Sequence, residues 1–106
     1  MSDLASKKCI PCEGNIPPFD QSEIHKYLKK IDGWEVQEDK IDGFHLIKNF
    51  IESQSFVNKI GDIAEKENHH PDISFGWGYC KVKIFTHAIK GLAESDFILA
   101  AKIDKI

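Results

Sequence analysis

Residues 56–87 read FVNKIGDIAEKENHHPDISFGWGYCKVKIFTH, and this stretch decides the fold. Phe56, Val57, Ile60, Ile63 and Ala64 recur at the spacing that puts them on one helix face, with Asn58, Lys59, Asp62, Glu65 and Lys66 between them. Ser53 or Ser55 is the expected N-cap. Pro71 lacks an amide hydrogen and pushes His70 toward the extended region, so the helix ends before it. Beyond the proline, Asp72 to Trp77 and Tyr79 to Thr86 read as strands, with Gly78 as the turn. Val82 and Ile84 alternate with Lys81 and Lys83, which gives the second strand one buried and one wet face.

The flanking sequence repeats this plan. After Pro18, Asp20 or Ser22 can cap a helix whose Ile24, Tyr27, Leu28 and Ile31 share a face, stopped by Asp32-Gly33. Trp34 to Val36 alternates like a strand, Asp42-Gly43 reads as a turn, and Phe44, Leu46 and Phe50 continue the alternation. After Gly91-Leu92, a last helix spans about Glu94 to Asp104 with Phe97, Ile98, Leu99 and Ala101 inward. The predicted fold is α+β, a four-stranded antiparallel sheet with helices packed on one face, in the order α-β-β-α-β-β-α. Residues 1–18 read as an extended leader, and residues 19–106 as one domain.

Composition narrows the function. The chain has 106 residues, of which 42% are hydrophobic, enough for one core. Net charge is −3, and all 14 basic residues are lysine. Arginine forks normally recognise phosphate and guanine edges, so direct nucleic-acid binding and phosphoryl transfer are poorly supported. The longest apolar run, Phe97 to Ala101, is too short to cross a bilayer, and the N-terminus lacks the apolar core of a signal peptide. A cytoplasmic location without membrane contact is expected. Cys9 and Cys12 form a C-x-x-C within a Pro- and Gly-containing stretch. Such a pair can be half a zinc site or a redox dithiol, but lacks both a second ligand pair and a strand-to-helix setting. A non-catalytic N-terminal segment is the better reading.

Five histidines are many for this length. His69 and His70 sit where a helix breaks, and His87 follows the strand that returns beside Pro71. The three can therefore converge at one end of the sheet, above Glu65 on the last helical turn. Three imidazoles and a carboxylate suit either a zinc or iron site with an open position or metal-free acid–base catalysis near neutral pH. A solvated helix terminus is the bland alternative. His25 and His45 are expected to be plain surface residues.

The pattern E-x3-H-H-P-x14-T-H-x8-D, carried by Glu65, His69, His70, Pro71, Thr86, His87 and Asp96, resembles the signature of the pterin-4α-carbinolamine dehydratases. Gly33-Trp34, Phe56-Val57-Asn58 and Phe97 to Ala101 agree with it, so the resemblance covers roughly residues 20–106. It implies dehydration of 4a-hydroxytetrahydrobiopterin to quinonoid dihydropterin, which recycles the cofactor of aromatic amino-acid hydroxylases. It also implies that His69, His70 and His87 surround the pterin as catalytic residues, with Glu65, Asp96, Pro71 and Thr86 in support. His70 and His87 are then the proton-transfer pair, and His69 binds and positions. The substrate expels its own hydroxyl, so no metal and no cofactor are expected. The family further implies a homodimer or homotetramer. Its alternatives are a protein-binding scaffold that acts as a transcriptional cofactor, as in animal relatives, or action on another pterin in molybdenum-cofactor metabolism. Two departures stand out. Ala93 occupies a usual capping position, which shifts the expected cap to Ser95. Gly76 reads as a bulge or a close approach of another backbone.

Overall fold

The computed structural model describes residues 4–9 and 17–106, with the side chain of His87 outside the description. Three helices and four strands follow in the predicted order: α1 (Gln21–Leu28), β1 (Trp34–Gln37), β2 (Lys40–Leu46), α2 (Phe50–Glu67), β3 (Asp72–Gly76), β4 (Tyr79–Ile84) and α3 (Glu94–Asp104). The strands form one antiparallel sheet in the order β1-β2-β4-β3. Ile41, Gly43, Cys80, Val82 and Ile84 lie on its buried face, against which the helices pack. Phe44, Lys81 and Lys83 alternate with them onto the opposite, open face.

Helix α3 is the centre of the molecule. Eight of its eleven residues are buried, and it packs against α1, α2 and β4. Phe97 at its middle is fully buried, stacks with Phe19 and lies tilted against Tyr27. Within the stretch expected to be an extended leader, Leu4–Ser6 form a short 3-10 turn on α3, and Leu4 joins the core. Cys12 and the rest of residues 10–16 lie outside the described residues.

Several local expectations are corrected. The β1–β2 turn is Glu38-Asp39, both in the left-handed region at φ 51° and 61°, and Asp42-Gly43 lies inside β2. Paired left-handed residues match the right-handed twist of a two-residue hairpin. Gly43 is glycine for another reason: a Cβ there would stand 2.5 Å from the Trp34 ring. Likewise, a Cβ on Gly76 would meet the Tyr79 side chain at 2.7 Å, so a side chain rather than a backbone closes on it. Phe50 opens α2 instead of extending β2, because Asn49 caps the helix by accepting from the Glu52 amide; neither Ser53 nor Ser55 is the cap. His45 is no plain surface residue. Its ring lies edge-on to Trp34 and Phe56, with centroids at 5.3 and 5.1 Å.

Candidate active site

The antiparallel pairing of β3 with β4 puts Lys83 opposite Asp72. The chain beyond β4 therefore returns to the sheet end where His69-His70-Pro71 enters β3. Helix α2 stops at Asn68, which adopts the left-handed conformation and closes its last turn onto Ala64 and Glu65. Asparagine tolerates that conformation better than most residues. The His69 amide also bonds the Ala64 carbonyl, so His69 leaves the helix in a fixed direction.

Asp96 gathers the rest. Its side chain is fully buried. One oxygen, Oδ2, accepts from the Thr86 hydroxyl and the Ala93 amide, both at 2.8 Å. The other, Oδ1, stands 2.6 Å from His69 Nε2. An ionised carboxylate only accepts, so in this bond Nε2 carries the hydrogen, and in the neutral ring Nδ1 keeps a lone pair. The Ala93 bond also answers the capping question. Ser95 does not take over as cap; Asp96, three residues into the helix, reaches back to the buried amide at its start.

His70 has a different partner. Its Nε2 lies 2.8 Å from Glu65 Oε1, and both side chains are largely exposed. Pro71 sits between the two histidines and β3 and keeps His70 out of helical geometry. After Thr86, residues His87–Ile89 form a 3-10 turn, and the Thr86 and Gly91 backbones pair to close that loop. Pro18 covers Gly91 so closely that a Cβ there would lie 2.7 Å from the proline ring. The backbone of His87 is thus anchored next to Thr86, while its side chain lies outside the described residues. Among the described residues, no group of three His, Cys, Asp or Glu side chains is placed to hold a metal ion.

Two features of this region carry no sequence signal. The buried Glu67 side chain accepts from the Cys9 amide at 2.9 Å, and the acceptor for the Ala93 amide is Asp96 rather than a serine. The first joins residues 58 positions apart, and no local periodicity records it.

The sequence model of pterin 4 alpha carbinolamine dehydratase matches residues 17–106. The chain belongs to this dehydratase family. A Rubrobacter xylanophilus relative bearing the family name is 47% identical over the full length of both chains. One from Rickettsia bellii is 50% identical over 95% of this chain and 91% of its own. A crystal structure from Brucella melitensis, described as a transcriptional coactivator/pterin dehydratase, has a TM-score of 0.79 at 27% identity. It covers 83% of this chain and 96% of that one. The dehydratase family's match begins at residue 17, so residues 4–9 lie outside it.

Proposed function

We propose that this protein is a hydro-lyase that dehydrates a 4a-hydroxytetrahydropterin to the quinonoid dihydropterin by histidine acid–base catalysis. The observation that carries the reading is the buried Asp96 carboxylate, which holds His69 through Nε2 while His70 is held independently by Glu65. Two imidazoles at one sheet end thus have defined ring orientations and free Nδ1 atoms. Such groups suit a reaction that needs one proton removed and one delivered.

In the reaction, a base takes the N5 proton, the N5 electrons form the C4a=N5 double bond, and the C4a–O bond breaks. The hydroxyl leaves as water after accepting a proton from a general acid. His70 and His87 are assigned to these transfers, and His69 to holding the pterin through a hydrogen bond to Nδ1. The substrate supplies the electron pair that expels the hydroxyl, so the mechanism requires no metal. A neutral, planar, hydrogen-bonding ring also accords with a chain whose basic residues are all lysine.

The reading places the protein in the cytoplasm, where it returns the pterin cofactor of an aromatic amino-acid hydroxylase to use. It also makes the protein a homo-oligomer. Phe44, Leu46, Phe50, Ile51 and Trp77 are exposed, and Phe44 and Phe50 stack on Tyr79 and Phe75, which is an apolar surface suited to a second copy. The deciding experiment is a stopped-flow measurement of 4a-hydroxytetrahydrobiopterin dehydration with and without the protein. A protein-dependent acceleration supports the proposal, and an unchanged rate rejects it.

A further inference from the structure

Cys9 touches the neighbours of both members of the His69–Asp96 pair. Its amide donates to Glu67, two residues before His69, and its thiol donates to the Ser95 carbonyl at 3.4 Å, one residue before Asp96. The rest of the segment is tied down independently. Leu4 is buried in the core, Lys102 Nζ donates to the Ala5 carbonyl at 2.7 Å, and Lys7 pairs with Glu94 at 2.9 Å. Lys102 Nζ also lies 3.6 Å from Glu67, whose side chain is 7% exposed. A buried carboxylate of this kind needs its partners, and here they come from the N-terminal segment and α3.

The pair itself joins two separately held pieces. His69 follows the end of α2, and Asp96 stands in the first turn of α3. Nothing covalent sets their spacing across 27 residues. A small shift of one helix end along the other would lengthen a 2.6 Å bond.

We propose that residues 4–9 are a strap that sets the His69–Asp96 distance, with Glu67 and Lys102 as its positioning residues. The inference rests on the proposed use of His69 to hold and position the pterin. Neither positioning residue touches substrate. Glu67 acts through the end of α2, and Lys102 joins Glu67 and Ala5 to α3. Well-oriented groups are sensitive to shifts of about 1 Å, which can cost about 10²-fold in rate.

The test compares Glu67→Ala, Glu67→Gln and Lys102→Met in the full chain. Glu67→Ala is expected to lower kcat about tenfold or more while KM moves less than about twofold, because a displaced His69 still bonds the pterin but holds it out of line with the proton-transfer groups. Glu67→Gln keeps an acceptor for the Cys9 amide and should restore kcat to within about threefold of the parent. A second readout is the Nε2–H proton resonance of His69 in 15N-edited NMR. In the parent it should be visible and slow to exchange, and in Glu67→Ala it should be lost to exchange.

A folded Glu67→Ala protein with parental kcat and an intact His69 resonance overturns the strap, as does a Gln variant as slow as the Ala variant. If Glu67→Ala does not fold, Lys102→Met and hydrogen exchange of the parent's Cys9 amide decide. An unprotected Cys9 amide overturns the proposal. If the parent itself shows no dehydratase activity, the catalytic reading falls. The strap is then judged on the His69 resonance alone.

Discussion

His69 Nε2 and Asp96 Oδ1 stand 2.6 Å apart, and the same carboxylate accepts the first free amide of α3 from Ala93. One side chain therefore starts a helix and orients an imidazole. Asp96→Asn replaces one of its two acceptor oxygens by a donor. If the amide nitrogen faces His69, the ring must move its hydrogen to Nδ1, which removes the lone pair offered to the pterin. A loss of about 10²-fold in kcat/KM is expected, with the fold kept, and 15N shifts of His69 should report the changed tautomer. Asp96→Ala strands the Ala93 amide and the Thr86 hydroxyl, each costing about 1–3 kcal/mol, so thermal unfolding should drop sharply.

Removal of the proton-transfer groups should separate rate from stability. His70 is largely exposed, and its partner Glu65 more so. His70→Ala should cost about 10²–10⁴-fold in kcat, while stability changes by less than about 0.5 kcal/mol. His87→Ala is expected to lose rate to the same order. Steady-state kinetics beside urea titration checks both. A His70→Ala protein with full activity would remove that residue from the mechanism.

Acid should weaken the fold through His45. Burial between Trp34 and Phe56 holds its pKa below the ordinary 6.5, against a smaller opposing pull from Asp104. The unfolded chain takes up this proton near pH 6.5 and the folded protein only at lower pH. Below pH 6.5 the unfolded state thus binds more protons, and stability falls as pH drops through the folded pKa. Above 6.5 this group contributes no slope. His45→Leu should flatten the acid limb of a plot of urea midpoint against pH, and an unchanged limb would assign the loss to other groups.

Gly43→Ala tests the sheet's closest contact. The new methyl would sit 2.5 Å from the Trp34 ring, which cannot retreat without breaking its Nε1 bond to Asp104. A loss of about 1–3 kcal/mol is expected, with a shift in tryptophan fluorescence.

The helix and strand order was legible because the apolar periods of α2 and β4 are strong and Pro71 marks a hard boundary. The Glu38-Asp39 turn was not, since two acidic residues in left-handed geometry carry no glycine signal, while Asp42-Gly43 imitates one. Gly43 answers to Trp34, a partner from the neighbouring strand that no local pattern reveals. His45 misled for a related reason: its position in a strand was readable, but the two rings enclosing it come from β1 and α2. At the candidate site, the spacing pointed to residue types and to one end of the sheet. The bond of Asp96 to His69 depends on how the end of one helix meets the start of another, and that of Glu65 to His70 on how the chain turns as α2 ends, so both became visible only in three dimensions.

The double duty of Asp96 has a consequence for synthesis. Helix α3 follows every other element in the chain. A chain that ends before residue 94 contains both hairpins and both histidines of the His69-His70 pair. That nascent chain has no carboxylate to orient His69 and no helix to bury Leu4 or Phe19. It displays uncovered apolar surface that chaperones and proteases recognise. The carboxylate that orients His69 and the cover for the core arrive with the same eleven-residue helix.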